Sequence, residues 1–228
     1  MGNFTALSLR YAGYLAFSLL IGMIAREFAR AAAATRLGDP TPRLWGRRSL
    51  NPRSWFDPFG SALLPALIIV LWAVAGSVLP PPFAYAKPAP IDPNYFKRRT
   101  RDSVLSALAG PAANLALGAL AGLGLRSLGV GNTGLGAGAT ELALGVNAFM
   151  FTNLCLAIFH LLPIPGLDGA RIVALLLPPR PAEVYRNADQ YLPLIVLVVL
   201  FIFAGPVNSI VYSLVGGLCS AFSGFACV

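Results

Sequence analysis

Three charged residues interrupt the first long apolar run of the chain: Arg26, Glu27 and Arg30, in Met23-Ile24-Ala25-Arg26-Glu27-Phe28-Ala29-Arg30. At mid-bilayer each charge costs at least ~2.5–3.5 kcal/mol, so it needs a partner or a task. On a helix Arg26 and Arg30 share a face, with Glu27 about 100° round from Arg26. That is the spacing of the helical His-Glu-x-x-His zinc motif, with arginine at both histidine positions. Arginine has only N–H donors and stays protonated, so neither residue can ligate a metal. A further carboxylate, Asp168, follows Pro163-Ile164-Pro165-Gly166, and His160, the only histidine, precedes that turn.

The segments that must position these groups are apolar and long. The 228-residue chain is 57% hydrophobic and 11% charged, with mean hydropathy +0.70, far from the usual quarter charged of a soluble domain. Apolar segments run over Tyr11–Ala34, Ser61–Leu79, Ser103–Leu125, Glu141–Leu162, a short Asp168–Leu177, and Tyr191–Leu218. Most meet the ~20 residues needed to span a bilayer. The fifth is too short alone and reads as the far half of a broken helix, with Asp168 at the break. Non-helical backbone at that depth is tolerated only inside protein or along a cavity. The expected fold is an all-α polytopic membrane protein, one integral membrane domain over 1–228. It is a bundle of five to six membrane segments with a short loop insertion after the first helix.

The net charge of +8 is concentrated between apolar segments, which reads as membrane orientation and not nucleic-acid binding. Arg36, Arg43, Arg47, Arg48 and Arg53 precede Ser61–Leu79; Lys87, Lys97, Arg98, Arg99 and Arg101 follow it. A spanning segment would put these groups on opposite sides, against the positive-inside rule, so a hairpin or strong tilt is favoured. The N-terminal run is not expected to act as a secretory signal: its only early positive charge is Arg10, and arginines interrupt its end.

Read in order, further blocks carry a resemblance. Phe28 to Pro52 reads FARAAAATRLGDPTPRLWGRRSLNP, followed by Phe56-Asp57-Pro58-Phe59-Gly60 and Ala86-Lys87-Pro88-Ala89-Pro90. Then come Ala109-Gly110-Pro111-Ala112-Ala113-Asn114 and the run Asn153–Gly169 with its Leu167-Asp168-Gly169. Together, over roughly residues 10–180, they resemble the bacterial site-2 protease family of intramembrane zinc metalloproteases. The resemblance implies that core, with short β-like strands after the first helix as the alternative to a loop, in the bacterial cytoplasmic membrane; the apolar run over about 191–218 adds a C-terminal helix beyond it. It also implies zinc held by two helix histidines and the Leu-Asp-Gly aspartate, with the motif glutamate activating water. By position Glu27 (the base of a degenerate motif) and Asp168 survive, while Arg26 and Arg30 replace both histidines. No zinc or other cofactor is therefore expected. Asn114, Asn153 and His160 fall to the cavity and its surroundings; the two asparagines are expected to bond across helices.

Several readings of the arginines stand open on sequence alone. Arg30, together with Arg26, pairs with Asp168 across the helix interface and fills the metal position with guanidinium, whose planar fork suits a carboxylate. Alternatively both arginines snorkel to the headgroups, or they line a polar pathway for a solute, ion or proton. A rewired zinc site of His160, Asp168 and Glu27 is chemically acceptable, though two arginines would oppose the dication. A carboxylate paired with arginine is a weak base, and Ser49 and Thr152 have no evident base partner.

The leading reading is a catalytically inactive homologue, a pseudoprotease that binds transmembrane segments of other proteins or serves as an accessory subunit of a membrane assembly. The alternative is an active zinc metalloprotease with rewired ligands that cleaves a membrane-tethered protein. Basic loops are expected to meet anionic headgroups, and Ala84–Asp102 is the candidate peripheral docking surface or headgroup linker. Ser127–Thr140 reads as a flexible connector, and Gly118 with Gly122 as a close helix contact. Cys155 is a buried apolar group; a Cys219–Cys227 disulfide is available if that end faces outside.

Overall fold

The structure is a computed structural model that describes residues 6–75, 80–130, 141–225 and 227. Helix α1 spans Ala6–Arg36 without a break, followed by a single turn α2 (Thr41–Leu44), a π-helical turn Pro58–Leu63 and α3 (Leu64–Ala75). Helix α4 (Arg99–Ser127) and helix α5 (Glu141–Leu161) return across the bundle. Short helices α6 (Asp168–Leu176) and α7 (Pro179–Asn187) precede α8 (Leu192–Leu197), a π turn Val198–Ile202, and α9 (Ala204–Ser223). Five stretches among the described residues are long and apolar enough to cross a membrane. No strand occurs among them, as expected of an all-α polytopic membrane protein.

Close approach of the helices rests on small residues of α4. Gly110, Asn114, Gly118 and Gly122 recur every four residues on its buried face. A methyl group on Gly118 would lie 2.7 Å from Leu154 of α5, and one on Gly122 2.7 Å from Phe222 of α9. In lipid, where apolar burial between helices gains little, such backbone proximity carries the packing.

Three features correct or narrow the sequence expectation. The insertion after α1 takes the loop form of that expectation and not the β-like one: Pro40 and Pro42 start one helical turn there, Pro52–Ser54 form a 3-10 turn, and the rest is loop. The C-terminal segment is not one straight helix. It extends to Ser223 and bends at Phe203, whose N–H bonds back to Val198; Pro206 has no N–H to offer and the π turn shifts the ladder, both recognised causes of kinks. Finally, Ala84–Asp102 is not all peripheral. Phe83, Ala84, Tyr85, Ala86 and Ala89 are buried in the core.

The segment after α2 is a hairpin. Tyr85 N–H donates to Gly60 O (3.1 Å) and Lys87 N–H to Trp55 O (3.0 Å), so the chain comes back beside the point where it entered. Both basic groups flanking it therefore lie on one face, with the start of α4. At the other end Arg10 pairs with Glu141 (2.6 Å), Phe222 packs near Gly122, and Cys219 is joined to Cys227. The positive-inside rule makes the arginine-rich face cytoplasmic, and the disulfide then falls on the outer face, where disulfides persist. Membrane-impermeant maleimide is expected to label Arg126→Cys in intact cells, and Arg48→Cys or Lys97→Cys only after permeabilisation; the reverse pattern would refute this orientation. Ser127–Thr140 lies mostly outside the described residues.

Candidate functional site

Glu27 is the centre of the site, contacted by two arginines of its own helix and by the returning hairpin limb. It lies on α1 and is 1% exposed. Its Oε1 accepts from Arg26 Nη1 and from Arg30 Nη1 (3.3 Å); its Oε2 accepts from Arg30 Nη1 (3.2 Å) and from the Ala89 N–H (3.3 Å) of the returning hairpin limb. Both oxygens are occupied by donors. Arg26 reaches further, with Nη2 2.6 Å from Asp168 Oδ2. Arg30 Nε stands 3.1 Å from Asp168 Oδ1, within ion-pair distance but not aligned as a hydrogen bond.

Two backbone approaches hold this quartet in place. Gly110 of α4 faces the arginine stems; a methyl group there would lie 2.8 Å from Arg26 Cγ and 2.9 Å from Arg30 Cγ. Gly169 of α6 leaves so little room that a methyl group would stand 2.1 Å from the Leu161 carbonyl oxygen. The chain can double back there because Gly166 takes φ +89°, the left-handed region open to glycine. Its N–H donates to Asp189 (2.6 Å), and Tyr185 donates its hydroxyl to the Pro163 carbonyl. Asp168 thus opens α6 at its N-terminal end, where free backbone N–H groups favour a carboxylate.

Arg26 and Arg30 are 3% and 1% exposed, so they do not snorkel: both guanidiniums are spent inside the bundle. The pairing differs in one respect from that expected. Arg26 is the hydrogen-bonded partner of Asp168, and Arg30 hydrogen-bonds Glu27 while only its Nε approaches Asp168.

His160 is fully buried, with Nδ1 2.9 Å from the Leu156 carbonyl oxygen and its ring 5.0 Å from that of Phe83. It is a packed core histidine. Among the described residues no three His, Cys, Asp or Glu side chains stand together so as to hold a metal ion, and Glu27 and Asp168, two of the three candidate rewired ligands beside His160, are each engaged by an arginine. The donor chemistry agrees: two donor-only side chains take the histidine positions and engage the carboxylates, and the residues present do not fit zinc.

Asn153 and Asn114 also correct the expectation of cross-helix bonds. Asn153 Nδ2 donates within its own helix to Phe149 O (2.9 Å), while its Oδ1 lies 2.8 Å from where a methyl group on Gly22 would sit. Asn114 is fully buried and its amide makes no hydrogen bond among the described residues. Cys155 is buried, as expected. Ser49 Oγ accepts from Asn51 N–H, and among the described residues buried Thr152 Oγ1 has no hydrogen-bond partner and neither hydroxyl bonds to a base. Sequence reasoning passed over Arg171, one turn beyond Asp168 and signalled by its charge in an apolar half-helix, and the Ala89 N–H, which carried no signal.

Comparison with known proteins shows the chain's relatives. The chain is 35% identical over 204 residues to "Putative zinc metalloprotease YwhC" of Bacillus subtilis, covering 89% of this chain and 86% of that one. It is 33% identical over 201 residues to "Putative zinc metalloprotease Rip2" of Mycobacterium tuberculosis, covering 87% of this chain and 71% of the other. No family model matches, and no solved structure does. Similarity of that extent, with the block order and helical site described above, places the chain in the site-2 protease family as an integral bacterial membrane protein.

Proposed function

We propose that this chain is a pseudoprotease that keeps the family's membrane fold to bind transmembrane segments of other proteins, alone or as an accessory subunit. One observation carries the reading: both oxygens of Glu27 are held by Arg26, Arg30 and the Ala89 N–H. A general base must have an oxygen free for the proton it takes, and hydrolysis by this family's chemistry needs a Lewis acid that this donor set does not hold.

The binding surface in this reading is the apolar groove between α1 and the hairpin. Leu19, Leu20 and Met23 form one wall and Pro65, Ala66 and Ile69 the other, around a cavity of about 210 Å³. It ends one turn from Glu27, at the depth where a protease of this fold needs its substrate. Transmembrane helices pack by close contact and not by hydrophobic expulsion, so a ready-made groove is what a client helix needs.

The test combines zinc supply with capture. Purified protein incubated with zinc and a transmembrane-helix reporter is expected to leave the reporter intact. A photo-crosslinking residue at Leu20 is expected to capture transmembrane segments that one at Leu128 does not. Zinc-dependent cleavage abolished by Glu27→Gln would overturn the proposal in favour of an active metalloprotease.

A further inference from the structure

We infer that a cavity on the cytoplasmic side of the buried ion pairs is a binding site for a phosphate group. The cavity, of about 370 Å³, opens between the start of α4, helices α6 and α7, and the loop through Pro93 and Phe96. Arg30 lines its inner end, while Arg99 and Arg186, both exposed, line its mouth. Arg171 and Asp189 stand between them.

The charges in this cavity do not balance. Arg30 is engaged by Glu27. Arg99, Arg171 and Arg186 have no carboxylate within ion-pair distance among the described residues, and the cavity's one acid, Asp189, already accepts the Gly166 N–H. Three cations facing one carboxylate leave an excess of two positive charges. Polar groups there also lack partners. Ser106 Oγ is enclosed on a residue 2% exposed, and Ser106 Oγ, Ser103 Oγ and Arg171 Nε make no hydrogen bond among the described residues. A buried polar atom left in this state costs free energy that a ligand recovers.

The arrangement selects the ligand's chemistry. Donors converge from α4, α6 and α7, and guanidinium forks favour oxyanions in two-pronged contacts. A phosphate supplies up to two charges and acceptors on several sides, which a single carboxylate does not. The mouth lies at the level of the cytoplasmic headgroups, where basic pockets between membrane helices recognise lipid phosphates. A free phosphate ester from the cytosol presents the same chemistry. This inference is independent of whether the chain cleaves, since none of the cavity's unpaired groups takes part in the Glu27 contacts.

The test titrates two probes into full-length protein, purified and stripped of lipid in nonionic detergent, at fixed ionic strength. The probes are inorganic phosphate and dihexanoyl phosphatidic acid, followed by calorimetry. Saturable binding of either probe is expected, weakened about tenfold or more by Arg171→Gln and by Arg186→Gln, as the loss of a charge-assisted bond implies. Arg48→Gln, on the same face away from the cavity, is expected to leave affinity unchanged. Binding of phosphate places the source in the cytosol; binding of phosphatidic acid alone identifies a headgroup. Arg186 is exposed, so its variant reports even if Arg171→Gln fails to fold. No saturable binding of either probe overturns the inference, as does binding that Arg186→Gln leaves unchanged.

Discussion

Asp168→Asn is expected to lower the stability of the detergent-solubilised protein by about 3–5 kcal/mol, the usual cost of stranding a buried charge. Asp168 is fully buried, and its Oδ2 is the only carboxylate oxygen within 2.6 Å of Arg26 Nη2. Asparagine fills the same space but turns one acceptor into a donor and removes the charge. The Arg26 fork then faces Glu27 as its one remaining carboxylate partner among the described residues. Because the loss comes from the stranded partner more than from a missing attraction, removing that partner should recover much of it. Asp168→Asn combined with Arg26→Gln is therefore expected to be more stable than Asp168→Asn alone. Combination with Arg30→Gln is expected to recover less, since Arg30 contacts Asp168 only through a poorly aligned Nε. An unfolding cycle in a denaturing-detergent series reads this directly. Strictly additive losses for Asp168 and Arg26 would show that the two side chains are not coupled.

That contrast between the two arginines marks where the sequence stops being informative. The membrane helices were legible because each needs a long apolar run, and α1, α4 and α5 begin and end within a few residues of the runs that announced them. The ion-paired site was legible because charges at helical spacing inside such a run require counter-charges, and Glu27 and Asp168 were the carboxylates available. Which arginine meets Asp168 was not legible. It depends on how α6 is turned by Gly166 and pressed onto Leu161 by Gly169, a tertiary fact that spacing within α1 does not contain. The hairpin was half legible: basic residues on both its flanks argued against a crossing, but the pairing of Lys87 with Trp55 that closes it leaves no pattern in either segment. The bend at Phe203 had a signal in Gly205-Pro206, masked by the uninterrupted apolar run around it. The directions of Asn114 and Asn153 were hidden because a polar side chain in an apolar helix bonds wherever its neighbours leave an acceptor, including its own preceding turn.

Restoring histidine at both arginine positions is expected to turn this chain into a zinc protein. The two guanidiniums supply two positive charges against Glu27 and Asp168, which is the charge a single zinc ion carries. Arg26→His with Arg30→His removes both charges, and the metal-free double variant is expected to be less stable than the native chain, because two buried carboxylates are left without a counter-charge. Imidazole is shorter than arginine, so the space now filled by the guanidinium planes opens between positions 26 and 30 and Asp168. Two histidines four residues apart with one carboxylate give three protein ligands and a free fourth position, a set that suits about one zinc ion per chain. Binding and stability should then be linked, with zinc raising the unfolding midpoint and a chelator lowering it. Arg26→His alone is expected to take up no zinc, since Arg30 keeps a fixed positive charge beside the ion's position and continues to hold Glu27. Elemental mass spectrometry with thermal unfolding, with and without chelator, separates the outcomes without requiring any activity. Failure of the double variant to bind zinc would mean that the α1–α6 approach has itself drifted from metal geometry. Zinc uptake would mean that two side chains stand between this fold and a metal site, and that the scaffold around them has kept its shape for a different use.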